Sequence, residues 1–175
     1  MILCNRSRRR FLARGGCGLM SGVVLSNWAK SSPAHPPSSG CGGLTRSEFE
    51  RYLALFNAND PDFTRYYHDQ VILELGSTEI RTARGIRDFY AEVKSHIREK
   101  VELTHFISDA GGIAAELPTE FKVFKDWDQN FFGRPLRTGE VLRTISFVLY
   151  WVEAGKFRHI KSARYKLIND WRMEA

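Results

Sequence analysis

Five side chains combine a residue type and a spacing suited to moving a proton: Tyr52, His105, Glu116, Glu120 and Arg143. Glu116 and Glu120 lie four apart in a stretch that reads as a strand, so a regular pleat sends both to one face. Arg143 falls where an antiparallel neighbour would bring it opposite Glu120. A carboxylate enclosed in a neutral, apolar pocket has its pKa raised by desolvation and becomes a general base, able to take a proton from the carbon next to a carbonyl. Tyr52 occupies a core-facing position of a helical pattern, and its hydroxyl can donate to the oxygen that gains charge in that step. His105, alternating with Leu103 and Ile107, is a second candidate base. Each has a plainer alternative. Glu120 and Arg143 can be an ordinary cross-strand ion pair on the solvated face, with Glu116 beside them. Tyr52 can be a core ring with a satisfied hydroxyl, and His105 a rim histidine. Glu74 reads as a surface acid unless a bulge turns it inward.

Other chemistries lack their residues. There is no phosphate loop, dinucleotide fingerprint or Ser-His-Asp signature. Asp126 and Asp128, with no histidine beside them, supply too few ligands for a metal, so neither metal nor cofactor is expected. Cys4, Cys17 and Cys41 all precede the first helical pattern, which leaves the rest of the chain without a disulfide framework or a thiol nucleophile. The segment Asp126–Phe132 mixes acids with large aromatics in the longest loop, a composition suited to closing over a pocket or to a dimer contact.

The chain carries 26 Lys and Arg against 20 Asp and Glu, a formal charge of +6. The first acidic residue is Glu48, and the six basic residues up to residue 44, Arg6, Arg8, Arg9, Arg10, Arg14 and Lys30, account for the whole excess. A neutral domain gains little from counterion release on a polyanion, so nucleic acid is not an expected partner. The longest apolar stretch, Leu19 to Leu25, is interrupted by Ser21 and Gly22 and is far short of a membrane span.

Positioning elements follow from the apolar periodicity. Thr45-Arg46-Ser47-Glu48 is a capping box ahead of Phe49, Tyr52, Leu53 and Phe56, which predicts a first helix. Asp60-Pro61 starts a shorter one. Val71 to Leu75 reads as a strand ending at Gly76-Ser77, with a short extended piece near Glu79 to Thr82. Ile86, Phe89, Tyr90, Val93 and Ile97 recur on one helical face and predict a third helix reaching Ile97. Val101 to Ser108, Ile113 to Phe124, Glu140 to Val152 and Phe157 to Leu167 then read as an antiparallel meander. Its turns are Asp109-Ala110-Gly111-Gly112 and Glu153-Ala154-Gly155-Lys156, where glycine would supply positive φ. The class is α+β: a curved antiparallel sheet wrapped around helices.

Four segments carry a resemblance. Glu50 to Asp60 is similar to the first helix of the SnoaL-like, nuclear-transport-factor-two-like proteins and to its Asn-Ala-x-Asp turn. Tyr66-Tyr67-His68-Asp69-Gln70-Val71 resembles that family's entry to the first strand. Gly85-Ile86-Arg87-Asp88-Phe89-Tyr90 resembles its third-helix start, and Gly155-Lys156-Phe157-Arg158-His159-Ile160 its last hairpin. The resemblance spans nearly all of residues 45–172. It implies a cone-shaped fold like that of ketosteroid isomerases, a homodimer, and a cofactor-independent isomerase, cyclase or dehydratase acting on an apolar carbonyl compound. A non-catalytic ligand-binding or dimerisation module is the alternative. Tyr52 matches the ketosteroid isomerase's helix-one donor. That enzyme's base falls on Leu75 and its second donor near Phe147, so its own machinery is not carried over.

Ahead of the domain, Ser7-Arg8-Arg9-Arg10-Phe11-Leu12 resembles the twin-arginine export signal, and Ser32-Pro33-Ala34 offers small residues for cleavage. Residues 1–34 are read as that signal, 35–44 as a disordered linker and 45–175 as the domain. Export to the periplasm or beyond is expected; the same acid-free, Arg-rich composition also permits a mitochondrial presequence.

Overall fold

The computed structural model describes residues 43–174. The twin-arginine-type segment and nearly all of the predicted linker lie outside them. Leu44, at the end of that linker, is 7% exposed and packs into the main core, so the folded domain takes it in.

Thr45 caps helix α1 (Arg46–Asn57) as the capping box predicts, with the Glu48 amide donating to the Thr45 hydroxyl and the Thr45 amide donating to the Glu48 carboxylate. Its buried stripe is Phe49, Tyr52, Leu53 and Phe56. Asp60 and Pro61 start a short 3₁₀ helix, Pro61–Tyr66, rather than an α-helix. Strands β1 (Tyr67–Leu75) and β2 (Thr78–Arg81) form a hairpin, and helix α2 (Ala83–Lys94) crosses back over it. Then come β3 (Ile97–Val101), β4 (His105–Ser108), β5 (Gly112–Val123), β6 (Glu140–Glu153) and β7 (Lys156–Met173).

These form one seven-stranded sheet in the order β2-β1-β7-β6-β5-β3, with β4 also on β5. The expected curved sheet and α+β class are present, with differences. The sheet is mixed, because β1 runs parallel to β7. Helix α2 stops at Lys94, and Ile97 belongs to β3, since buried positions four apart on one strand face (Ile97, Val101) also fit helical spacing. The predicted single strand Val101 to Ser108 is two strands, both paired to β5. Four register shifts between β6 and β7 each leave an extra residue in β7, which bends the sheet and curls it into a half-barrel around the helices.

The hairpin turns use glycine in different ways. Ala154 and Gly155 both have positive φ (49° and 74°), as a two-residue primed turn requires. At Asp109–Gly112 the side chain of Asp109 accepts from the amides of Gly111 and Gly112 instead. Glycine is needed at position 112 for space: a Cβ there would lie 2.2 Å from the Tyr150 carbonyl oxygen.

The larger core sits between α1 and the concave face, with Phe49 and Tyr52 against Tyr67, Tyr150 and Phe157. A second cluster gathers Val93, Ile97, Val123, Trp127 and Leu136 beneath the β5–β6 loop.

Candidate active site

The curl leaves a cavity of about 450 Å³ between the helices and the concave face. Its wall on β6 is every second residue, Leu142, Thr144, Ser146, Val148 and Tyr150, as a pleated strand dictates. The helices contribute Tyr52, Phe56, Phe89 and Tyr90.

Into this largely apolar space β3 projects Glu99. It lies between Ile97 and Val101 on the inward pleat, both buried, while Arg98 and Lys100 face outward and are exposed. One Glu99 oxygen, Oε2, is sealed from solvent and has no hydrogen-bond partner. Desolvation raises the Glu99 pKa to about 7, a rise partly opposed by the charge of Lys94. Lys94 is held by donation to the Phe56 carbonyl oxygen, with its ammonium 3.7 Å from the centre of the Phe56 ring. Burial pulls the Lys94 pKa down, against the effect of Glu99.

Four phenols surround this acid: Tyr52, Tyr67, Tyr90 and Tyr150. Desolvation drives each pKa well above the ordinary phenol value, and the negative charge of Glu99 adds to the rise at every one. They therefore keep their protons and serve as hydrogen-bond donors. The hydroxyls of Tyr52 and Tyr67 lie 3.0 Å apart, so one donates to the other and the second keeps a free proton to offer. A carboxylate that titrates near neutrality beside proton-bearing phenols can take a proton from a carbon acid and hold the oxygen that becomes negative. The strand carrying Glu99 is fixed by Asn57 at the end of α1. Asn57 Nδ2 donates to the Val101 carbonyl (2.8 Å), and the Val101 amide donates to Asn57 Oδ1 (2.9 Å).

Of the five residues singled out from sequence, the structure places Tyr52 in this cavity and the other four on the opposite, convex face. The odd-numbered positions of β5 from Ile113 to Thr119 point inward and are buried, so Glu116 and Glu120 point outward. Glu116 accepts from the Thr104 hydroxyl (2.7 Å) and meets His105, whose side chain is 80% exposed. Thr104 first, then His105, hold the Glu116 carboxyl below the usual range, the opposite of what a neutral-pH base needs. Arg143 does lie opposite Glu120, donating to it at 2.7 Å, and also reaches Glu174. Glu74 is on the convex face too, between His159 (2.6 Å) and Lys161 (3.0 Å).

Glu99 is hidden in the sequence because helical spacing continues to Ile97, so that residues 98–100 fall between the predicted helix and the predicted strand starting at Val101. The usable signal was Ile97-x-Glu99-x-Val101, an acid on the apolar side of an alternating segment. The Asp126–Phe132 loop divides its labour. Phe131 and Phe132 reach the cavity, Phe131 5.1 Å from Phe89 and Phe132 5.1 Å from Trp171. Its acids staple the loop: Asp126 accepts from the Thr138 amide and hydroxyl, and Asp128 from Arg137.

No family model matches the chain, and no curated protein matches it by sequence. Solved structures share its fold. A proposed polyketide cyclase from Pseudomonas putida is 20% identical over 69% of this chain and 92% of its own, with a TM-score of 0.58. A SnoaL-like polyketide cyclase from Agrobacterium tumefaciens is 21% identical over 67% of this chain and 88% of its own, with a TM-score of 0.55. An LEH-like epoxide hydrolase from M. tuberculosis is 13% identical over 66% of this chain and 78% of its own, at 0.54. At such identities the likeness is one of fold.

Proposed function

We propose that this chain is a small SnoaL-like enzyme, an isomerase, cyclase or dehydratase that acts without a cofactor on an apolar carbonyl compound. The carrying observation is Glu99: an acid with an unpartnered, sealed oxygen in an aromatic cavity, titrating near neutrality. In this reading ionised Glu99 takes the proton from the carbon next to the carbonyl. The electron pair left behind moves onto the carbonyl oxygen, and a phenol of the Tyr52–Tyr67 pair donates a hydrogen bond to that enolate oxygen. Protonated Glu99 then returns the proton to a second carbon in an isomerisation, to the alkoxide left when the enolate carbon bonds to a second carbonyl in a ring closure, or to a β-hydroxyl that leaves as water while the C=C bond forms in a dehydration. The deuterated solvent experiment tests it without a known substrate. The full chain is incubated in heavy water with steroid, aromatic polyketide and terpenoid ketones, and exchange of the α-protons is followed by NMR. Exchange that vanishes in Glu99→Gln and drops in Tyr52→Phe supports the reading. Saturable binding with no exchange above the protein-free control assigns the cavity to a non-catalytic binding module instead.

Two further parts belong to the same reading. The protein is a homodimer through the convex face, where Phe147, Leu149, Trp151 and Tyr165 are large, apolar and more than two-fifths exposed. Phe147 stacks on Tyr165 with ring centres 4.4 Å apart, presenting a flat aromatic surface. Sedimentation equilibrium of the wild type and Phe147→Glu decides this, a monomeric wild type refuting it. The protein is also exported through its Ser7–Leu12 motif, and retention of the Arg8→Lys, Arg9→Lys variant in the cytoplasm is the expected result.

A further inference from the structure

Among the described residues lining the cavity only two are charged, Glu99 and Arg164. They lie at opposite ends of it. Glu99 pairs with Phe121, which pairs with Leu142, whereas Arg164 pairs with Ser146, four residues further along β6 and on its other side. Glu99 is half-buried with Oε2 sealed from solvent, and Arg164 is exposed, as are Gly76 and Ser77 of the neighbouring β1–β2 turn. That turn is tied to the same spot, since Leu75 pairs with Ser162 and the Gly76 amide donates to the Ser162 carbonyl oxygen. Arg164, Ser162, Ser146 and Ser77 therefore form one polar lip at the mouth.

Among the described residues no ion pair engages Arg164, and no side-chain hydrogen bond engages Arg164, Ser146 or Ser162. Arg98, Lys100 and Arg143, by contrast, all sit on the outer pleat. The local backbone is built for Arg164's inward position: Ile145 pairs with Lys166 and Ser146 with Arg164, so Tyr165 is an extra residue, and this bulge sets the alternation anew immediately after Arg164. A guanidinium at the end of an apolar cavity, flanked by hydroxyls, presents a planar fork of donors to a carboxylate. The reverse orientation would set the carboxylate beside Glu99, where like charges repel.

We propose that the cavity takes a keto acid: an amphipathic molecule whose carboxylate is bound at the mouth by Arg164 with Ser146 and Ser162, and whose apolar, carbonyl-bearing body lies inward toward the tyrosines and Glu99. This rests on the function proposed above and narrows its substrate class. Arg164 sets specificity and stands clear of the reacting atoms.

The test compares naphthoylvaleric acid with its methyl ester, titrated calorimetrically into the full chain, into Arg164→Gln and Arg164→Lys, and into Glu99→Gln. The acid binds wild type about tenfold more tightly than the ester, a difference expected of one charge-assisted carboxylate contact. Arg164→Gln abolishes the preference while leaving ester affinity unchanged, Arg164→Lys keeps part of it, and Glu99→Gln keeps all of it. Equal affinity for acid and ester in wild type, or a preference that survives Arg164→Gln, overturns the role of Arg164 and leaves the Glu99 chemistry standing if ketone exchange persists. Absence of binding by both acid and ester overturns the cavity reading together with this narrowing of it.

Discussion

Glu99 and Glu120 stand on paired strands, one position out of register: Lys100 is opposite Glu120, and Glu99 is opposite Phe121. That single step sends them to different faces of the sheet. Glu120 meets Arg143 in partly exposed surroundings, where an ion pair contributes little. Glu99 meets an apolar wall and four phenols, with one oxygen unpaired. The pair teaches that position relative to the pleat decides whether an acid is a surface charge or a poised base, and that residue type and strand membership do not.

The most severe way to break this comparison is to remove each acid in turn. With any ketone that the protein exchanges, Glu99→Gln lowers the rate by about 10²- to 10⁴-fold, the range for loss of a general base, while Glu120→Gln changes it by less than about twofold. Comparable losses in both would end the assignment. The wild-type rate should rise with pH and level off above about 7, following ionisation of Glu99.

The same difference appears in stability. Glu99 has a folded-state pKa raised from 4.5 to about 7, so the native state holds its proton more tightly than the unfolded chain does. The resulting stabilisation is complete below about 4.5 and is lost as pH rises through about 7, up to about 3 kcal/mol in all. Denaturant melts across this window should show that fall in wild type and its disappearance in Glu99→Gln. An unchanged pH dependence in the variant would place its origin elsewhere.

A smaller effect comes from the clamp behind the site. Asn57→Ala leaves the Val101 amide and carbonyl without partners and should cost about 1–3 kcal/mol, measured by urea denaturation. Because β3 also carries Glu99, the variant should lose exchange activity beyond what its unfolded fraction explains. Least of all is expected from Arg143→Gln on the convex face, a smaller shift of the urea midpoint than Asn57→Ala gives, and one that shrinks further in salt. A large penalty there would mean that the Glu120–Arg143–Glu174 cluster is more than a solvated ion pair.

Much of this molecule was legible in order of elements. The capping box at Thr45, the apolar stripe of α1, the turn at Ala154-Gly155 and the alternation along β5 and β6 are local patterns, and local sterics and hydrogen bonding suffice to read them. Tyr52 was legible for the same reason, because a tyrosine on the buried stripe of a helix must face whatever the helix covers. The end of α2 was not. Ile97 satisfies helical spacing from Val93 and strand spacing to Val101 alike, and only the hydrogen bonds that β3 makes to β5 settle the choice.

The site depended on that choice. Residue types told which groups could act, and the alternation of β5 put Glu116 and Glu120 together on one face, as they are. Which face is concave was decided by the bulges of β7 against β6 and by the parallel docking of β1 on β7, whose partners lie roughly 90 apart in the chain. A pleat is a local property of the backbone and can be counted from the sequence. Curvature is a property of the closed sheet, and curvature is what took Glu99 out of water while leaving Glu120 in it.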